Sequence, residues 1–320
     1  MLNKYINLPT KIKYKLVYKS GNIDTPFSKE LEIINADYTA SGQPSPFIDE
    51  YIMKNINPYY SNTHSNAHNG IYMKNLILET KDYLRKILNI TNDYIILFPG
   101  NGTTSAINHL SNLINYKKYG KVVIFISIYE HYSNFLPWLK IKNTYNNIIL
   151  EYISLKNELL DLEYLDNKLN YYYSNKNKQK TLIICSIMDC SNVTGLKLPL
   201  INIKNIMNKY QNNDSFHKYL FVDFACSAPY IDIDCSQYDA IFFSPHKFIG
   251  GVSTPGVLIG RKCLFMYESP YTVGGGCVKK SDYEEIIFDT NIETKESAGT
   301  PNIIGIIKLK KIFEIKQHYK

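Results

Sequence analysis

Short apolar runs rich in β-branched and aromatic residues recur along the central part of the chain, and each has the character of a buried strand. Between several of them, apolar residues lie three or four positions apart, as in residues 106–114 and 159–169, which is typical of amphipathic helices. Buried strands alternating with helices predict an α/β fold: a mostly parallel sheet of about seven strands with helices on both faces. The six clearest runs are residues 94–98, 122–126, 181–185, 220–222, 240–243 and 256–259.

The segments that connect these runs indicate the direction of one strand pair and the place where a ligand binds. The last two runs are joined by only about a dozen residues that include Gly250, Gly251 and Pro255, which favours an antiparallel pair at one edge of the sheet. Polar clusters follow several of the other runs. Because ligands of open α/β sheets collect at the carboxyl ends of the strands, these clusters are the candidate functional residues.

Composition narrows the class of protein. The chain has 320 residues and a formal net charge of +7, carried by scattered lysines, so the charge is weak evidence for nucleic-acid binding and none is expected. No apolar leader or membrane-spanning run is visible, and the six cysteines include no C-x-x-C pair. We therefore expect a cytoplasmic protein without disulfides or a zinc site. His64 and His68 have the spacing of metal ligands, but no acid lies near them in a helical pattern, so no metal is expected.

One lysine stands out because of its neighbours. The segment 244–251 places Lys247 directly after a predicted strand, between Ser244, His246 and a pair of glycines. An earlier run, 219–222, ends on Asp223. Pyridoxal 5'-phosphate (PLP) requires such a pair: a lysine amine forms a Schiff base with its aldehyde, and a carboxylate keeps its pyridine nitrogen protonated. The sequence therefore predicts a PLP site with Lys247 and Asp223 as catalytic residues.

A phosphate site is predicted where the run 94–98 passes into a helix. Gly102, Thr103 and Thr104 offer a close backbone approach, free N–H groups at a helix N-terminus and two hydroxyls. Taken alone, such a turn is more often a simple loop and helix cap. Beside the lysine segment it becomes a phosphate-binding loop, to which Ser244 and His246 add further donors.

Two more residues follow predicted strands. His131 comes after the run 122–126, and its flat ring could stack on the pyridine face, although a surface histidine at the start of a helix is the alternative. Asn192 follows the run 181–185 and could donate a hydrogen bond to the phenolic oxygen of the cofactor. Its alternative is a turn of the Asn-Gly type.

These motifs, in this order, resemble the class V aminotransferases, a family of fold-type-I PLP enzymes that includes the cysteine desulfurases. The resemblance runs from residues 36–42 to residues 296–302, with Gly102-Thr103-Thr104, residues 130–138, Asn192, Asp223 and His246-Lys247 between them, and covers about five-sixths of the chain. It implies that Lys247 forms the Schiff base, that Asp223 pairs with the pyridinium, and that His131 stacks on the ring, so these three are the candidate catalytic residues. It further implies that Thr104, Ser244 and His246 bind the phosphate, that the chain is a homodimer, and that residues 274–276 reach the cofactor of the partner subunit.

The resemblance also implies a division into segments and several departures. We expect an N-terminal segment at 1–35, a large PLP-binding domain at 36–290, and at 291–320 the start of a helix connecting to a missing C-terminal small domain. That small domain usually provides an arginine for the substrate carboxylate, and neither Arg85 nor Arg261 occupies its position. Cys226 replaces a glutamine that contacts the cofactor in desulfurases, and their loop with the sulfur-accepting cysteine is absent. Both departures argue against desulfurase activity.

Three functions remain open on this evidence. The first is a PLP-dependent enzyme that acts on an amino acid or amine, with transamination as the default reaction. The second is a truncated PLP-binding remnant, or half of a split enzyme, without independent catalysis. The third is an α/β protein that uses the same surface for another phosphate ligand, which would leave the placement of Lys247 and Asp223 to coincidence.

Overall fold

The computed structural model describes residues 16–176, 179–282 and 284–319, which form two compact units. The first unit contains the described residues up to Tyr83 together with residues 245–255 and 302–319. The second contains residues 84–244 and 256–301. In chain order the strands are β1 (Asn22–Ile23), β2 (Leu31–Glu32), β3 (Tyr94–Leu97), β4 (Lys121–Ser127), β5 (Ile148–Ile153), β6 (Leu155–Lys156), β7 (Leu159–Leu160), β8 (Thr181–Met188), β9 (Phe216–Asp223), β10 (Ala240–Phe243), β11 (Val257–Arg261), β12 (Val278–Ser281) and β13 (Ile286–Phe288). The α-helices are α1 (Pro46–Tyr51), α2 (His68–Ile87), α3 (Gly102–Leu113), α4 (Tyr132–Thr144), α5 (Leu162–Ser174), α6 (Leu200–Asn208), α7 (Ile292–Lys295) and α8 (Ile303–His318).

The second unit is built on a seven-stranded sheet in the order β3-β11-β10-β9-β8-β4-β5. β10, β9, β8, β4 and β5 pair in parallel, whereas β11 runs antiparallel to both of its neighbours, β10 and β3. The prediction of a mostly parallel sheet of about seven strands is confirmed, and all six apolar runs are strands of it. The antiparallel pair is β10 and β11, and β11 lies one strand in from the edge.

Helices cover both faces of this sheet. Side chains alternate between the two faces along each strand, so the apolar residues of one strand pack against helices on both sides. On β4, Val122 and Ile124 belong to the same buried cluster as Leu110 of α3 and Trp138 of α4. Phe125, on the other face, packs its ring against Tyr172 of α5, with 6.3 Å between the ring centroids. β8 is buried along its whole length, as expected for a strand paired on both sides and covered on both faces.

The first unit is organised around α8. This helix buries most of its length, and the ring of Phe313 packs against that of Phe248, with 5.1 Å between their centroids. Lys308 of α8 lies 3.6 Å from a carboxylate oxygen of Asp49 in α1. Phe248 follows Lys247 directly, so α8 supports the turn around Lys247 from within the same unit. Among the described residues, no helix is long and apolar enough to cross a bilayer, and no group of three or more acidic, histidine or cysteine side chains could hold a metal ion.

A close backbone approach fixes the start of α3. A Cβ atom added to Gly256 would lie only 2.1 Å from the carbonyl oxygen of Gly102, the first residue of that helix. The Gly256 N–H also donates to the Pro99 carbonyl at 2.8 Å. The loop between β3 and α3 therefore depends on the absence of a side chain at position 256.

We expect Gly256→Ala to destabilise the chain by about 1–3 kcal/mol, because the backbone must shift to admit the methyl group. Gly275→Ala is the matched control, since no atom lies within 4 Å of the position that its methyl group would take, and its effect should stay within about 0.5 kcal/mol. Urea unfolding of both variants measures the difference. Equal stabilities would show that the approach of the two glycines does not constrain the loop.

Candidate active site

Asp223 lies at the carboxyl end of β9, in the middle of the sheet. It is only 4% exposed and is paired in register with Met188 of β8 on one side and Phe242 of β10 on the other. One of its carboxylate oxygens accepts a hydrogen bond from the Ala225 N–H at 2.8 Å. A carboxylate this deeply buried is costly unless a charged or polar partner stabilises it. The structure thus places Asp223 where the sequence puts it, and its role in binding stays a prediction.

Glu130 is a second acid at the same edge, and the sequence pattern assigns it no role. One carboxylate oxygen accepts a hydrogen bond from the Ser127 hydroxyl at 2.6 Å, the other accepts one from the Asn134 amide at 2.7 Å, and the Met188 N–H donates to both. Removal from water, with a smaller contribution from the negative charge of Asp223, raises the pKa of the Glu130 carboxyl to about 7, against the lowering effect of these hydrogen bonds. Glu130 therefore titrates near neutral pH and senses the charge at Asp223.

The bonds of Glu130 continue through Asn134 into the core. The Asn134 oxygen accepts hydrogen bonds from the Trp138 indole at 3.1 Å and from the Ser186 hydroxyl of β8 at 2.7 Å. Asn134 is fully buried. This chain of bonds fixes the first turns of α4 against β8, and with them the loop that carries His131.

His131 is the N-cap of α4. Its Nδ1 accepts a hydrogen bond from the Ser133 N–H at 3.1 Å, and the residue is exposed. Since Nδ1 acts as an acceptor, the ring is held in one orientation at the helix start. The alternative of a histidine at a helix start thus describes its local structure, and the predicted ring stacking remains a prediction.

Four hydroxyls lie around the N-termini of α3 and α4. The Thr103 N–H donates to the Ser244 hydroxyl at 2.9 Å, and that hydroxyl lies 3.3 Å from the Thr103 hydroxyl. The Thr104 and Ser133 hydroxyls share a hydrogen bond of 2.7 Å. The helix begins at Gly102 with a φ of 58°, a backbone conformation that favours glycine. We call Thr103, Thr104, Ser133 and Ser244 the hydroxyl cluster; Ser133 is the member that the sequence did not single out.

The lysine segment belongs to the first unit and forms a 3₁₀ turn at Pro245–Lys247. The Lys247 ammonium donates to the Thr39 carbonyl at 2.9 Å, and the Gly42 N–H donates to the His246 carbonyl at 2.9 Å. Burial lowers the pKa of the His246 ring, and the charge of Lys247 lowers it further. Residues 36–42, where the family resemblance begins, thus hold His246 and Lys247 in place through backbone groups of Thr39 and Gly42.

The remaining predicted residues are in loops. Asn192 is exposed in a turn closed by a hydrogen bond of 2.9 Å from the Gly195 N–H to the Ser191 carbonyl, which agrees with the turn alternative for its backbone. In the 274–276 loop, the Gly275 carbonyl accepts a hydrogen bond of 2.7 Å from the Gly299 N–H. The structure does not test the predicted reach of this loop into a partner subunit.

Both arginines of the chain lie at the opposite edge of the sheet. Arg85 pairs with Glu293 at 2.8 Å, and its guanidinium also donates to the Tyr94 carbonyl at the start of β3. Arg261, at the end of the antiparallel β11, pairs with Asp239 at 2.9 Å. Neither can meet a substrate carboxylate beside Asp223. Both arginines are thus committed to ion pairs away from the carboxyl end of β9.

Glu130→Gln should remove a pH dependence of stability. The folded-state pKa of Glu130 is raised from 4.5 to about 7, so its stabilising contribution is fully present below pH 4.5 and is lost as the pH rises through 7. Because the glutamine stays neutral, we expect the variant to gain roughly 2–3 kcal/mol relative to the native chain between pH 5 and pH 8. Urea unfolding at both pH values measures this, with the exposed Glu163→Gln as control. Parallel stability curves for native chain and variant would contradict the assignment.

Comparisons with known proteins agree with this geometry. The profile of the family described as "Aminotransferase class-V" matches residues 34–320. The cysteine desulfurase of Wigglesworthia glossinidia brevipalpis is 32% identical over 266 residues, covering 80% of this chain and 60% of that protein. A probable cysteine desulfurase of Pasteurella multocida is 27% identical over 242 residues, covering 75% of this chain and 53% of that protein. This chain thus spans between half and two thirds of the length of these two relatives.

Solved structures show the same fold. The apo cysteine desulfurase of Thermococcus onnurineus NA1 superposes with a TM-score of 0.73 at 21% identity, covering 88% of this chain and 66% of that one. The cysteine desulfurase CsdA of Escherichia coli gives a TM-score of 0.71 at 22% identity, covering 89% and 68%. The fold-type-I prediction is therefore confirmed. From the family profile and the Wigglesworthia relative, the chain belongs to the class V aminotransferase family, whose cofactor is pyridoxal 5'-phosphate.

Proposed function

We propose that this chain binds PLP covalently through Lys247 and acts on a small amino acid, L-cysteine, from which it removes sulfur. The observation that carries the proposal is the buried Asp223 at a strand end in the same unit as the hydroxyl cluster at the α3 N-terminus. The names of the matched relatives support L-cysteine as the substrate. This revises the expectation against desulfurase chemistry drawn from Cys226.

The residues present fit this cofactor. A protonated pyridine nitrogen is a cation that would offset the cost of burying the Asp223 carboxylate. Backbone N–H groups at the start of α3 and the hydroxyls around them are donors for a phosphate dianion. Thr103, Thr104 and Ser244 are the members of the hydroxyl cluster that we assign to this phosphate, and His246 is a further donor from the lysine segment.

The predicted site residues outside the hydroxyl cluster would contribute to cofactor binding or to proton transfer. When bound, PLP supplies an electron sink for negative charge that develops at the substrate α-carbon. The His131 ring would stack on the pyridine and hold it flat, and the Asn192 amide would donate to the phenolic oxygen. Lys247 would hold the cofactor through its Nζ, and its amine would accept the proton from the substrate α-carbon. The other possible reactions of this family, among them transamination, elimination and decarboxylation, share this first proton transfer.

A second candidate function is PLP binding without turnover. The observation that favours it is the position of the two arginines, which leaves the carboxylate of an amino-acid substrate without a bidentate partner in the described part of the second unit. A homodimer, which we also propose, could supply the missing group from its other subunit. The two functions differ in turnover and agree in cofactor binding.

Lys247→Ala should abolish covalent attachment of PLP. We expect the native chain to show a visible absorption band with added PLP, and borohydride reduction to fix the cofactor to the peptide that contains Lys247. Lys262→Ala, an exposed lysine outside the proposed site, is the control and should keep the band. Reduction that still attaches PLP to the Lys247→Ala variant at the native stoichiometry would overturn the assignment of this lysine.

Turnover of L-cysteine decides between the two functions. If the chain is a desulfurase, the PLP-loaded protein should release L-alanine from L-cysteine when dithiothreitol supplies the electrons that release the sulfur as sulfide. We expect the rate to fall by at least about a thousandfold in Lys247→Ala, as for loss of an essential proton-transfer group. Full PLP loading without alanine above the variant's background would favour the second candidate, binding without turnover.

A further inference from the structure

Two cysteines follow neighbouring strands at the edge of the sheet that carries Asp223. β8 and β9 are neighbours, and their register ends with Met188 opposite Asp223. The pairing continues one step further, since the Asp189 N–H donates to the Asp223 carbonyl at 2.9 Å. Cys190 is the next residue on one segment, and Cys226 lies three residues beyond Asp223 on the other.

Both segments are held by their own backbone bonds. Cys190 forms an isolated antiparallel bridge with Lys197, and the adjacent Leu198 N–H donates to the Asp189 carbonyl at 2.8 Å. Around Cys226, the Ala228 N–H donates to the Phe224 carbonyl at 2.8 Å. The two thiols are therefore presented by ordered turns.

The two thiols also influence each other. The Cys190 thiol donates to the Gly195 carbonyl at 3.3 Å, Cys226 lies close enough to affect its ionisation, and both residues are partly exposed. Burial, with a smaller contribution from Cys226, raises the pKa of the Cys190 thiol to about 11. Cys190 thus stays a thiol at neutral pH. The other cysteines differ: Cys185, Cys235 and Cys277 are buried, and the exposed Cys263 follows β11 at the opposite edge of the sheet.

We propose that Cys190 and Cys226 are a redox-sensitive pair that forms a reversible disulfide, and that this disulfide weakens binding of PLP. Hydrogen peroxide first oxidises Cys226 to a sulfenic acid with release of water. The Cys190 sulfur then attacks the Cys226 sulfur, and the hydroxyl leaves as a second water with the Cys190 proton. Two thiols and one peroxide thus give one disulfide and two waters.

The effect on the cofactor, which rests on the proposed function, follows from the change in distance. Two separate thiols must draw together to an S–S bond of about 2.05 Å. One sulfur lies two residues before Asn192 and the other three residues after Asp223, so both proposed cofactor-binding segments must shift. We expect PLP affinity to fall about tenfold, the effect of one lost hydrogen bond to a charged group.

The first experiment treats the full chain with hydrogen peroxide, alkylates the free thiols after denaturation, and maps the peptides without reduction. We expect the native chain and the Cys263→Ser control to lose two thiols and to yield a cross-link between the peptides of Cys190 and Cys226. Cys190→Ser and Cys226→Ser should yield none. Absence of this cross-link while Cys263 is oxidised, or a cross-link from Cys263 to either residue, would overturn the pair.

The second experiment measures PLP affinity of reduced, oxidised and dithiothreitol-restored chain by equilibrium dialysis. Weaker binding that dithiothreitol reverses, and that Cys226→Ser does not show, supports the regulatory role. An unchanged affinity after complete cross-linking overturns that role. Reduced native chain that fails to bind PLP contradicts the proposed function instead, and leaves the cross-linking result to decide the disulfide itself.

Discussion

Parallel pairing of β4, β8, β9 and β10 is the constraint on which the candidate site depends. Strands that run in one direction end at one edge, so residues far apart in sequence become neighbours there. The register between β8 and β9 pairs Met188 with Asp223, and the Met188 N–H donates to Glu130. A slip of one residue would turn every side chain of β8 to the opposite face and break this bond.

This architecture could largely be predicted because its strands are buried on both faces and are therefore continuously apolar. β5 was missed because it is an edge strand with an acid in its middle. Glu151 accepts hydrogen bonds of 2.7 Å from the hydroxyls of Tyr164 and Tyr172, which no local pattern reveals. The helix predicted at 159–169 begins instead at Leu162, since Asp161 caps it and Leu159–Leu160 pairs with Leu155–Lys156.

Some residues of the candidate site could likewise be predicted from the sequence, and others could not. Asp223, Gly102 and the threonines could be predicted because each follows a strand or opens a helix, which is local information. Glu130 and Ser133 could not, because their roles depend on partners distant in sequence: Met188 for Glu130 and Thr104 for Ser133. The proximity of Cys190 to Cys226 is likewise a product of strand pairing, since 36 positions separate the two residues (226 − 190). Sequence alone thus identifies candidate ligand-binding groups more readily than the groups that position them.

Glu130 and Asp223 together determine the negative charge at this edge of the sheet. The negative charge of Asp223 contributes to the raised pKa of Glu130, so near neutral pH the pair carries fewer than two negative charges. A cation bound at Asp223 would cancel that repulsion and lower the pKa of Glu130. Linkage is reciprocal, so ionisation of Glu130 must strengthen the binding of such a cation by the same factor. Cofactor affinity is therefore expected to rise with pH through 7 for a ligand whose ring nitrogen stays protonated, and Glu130 is the residue that transmits this dependence.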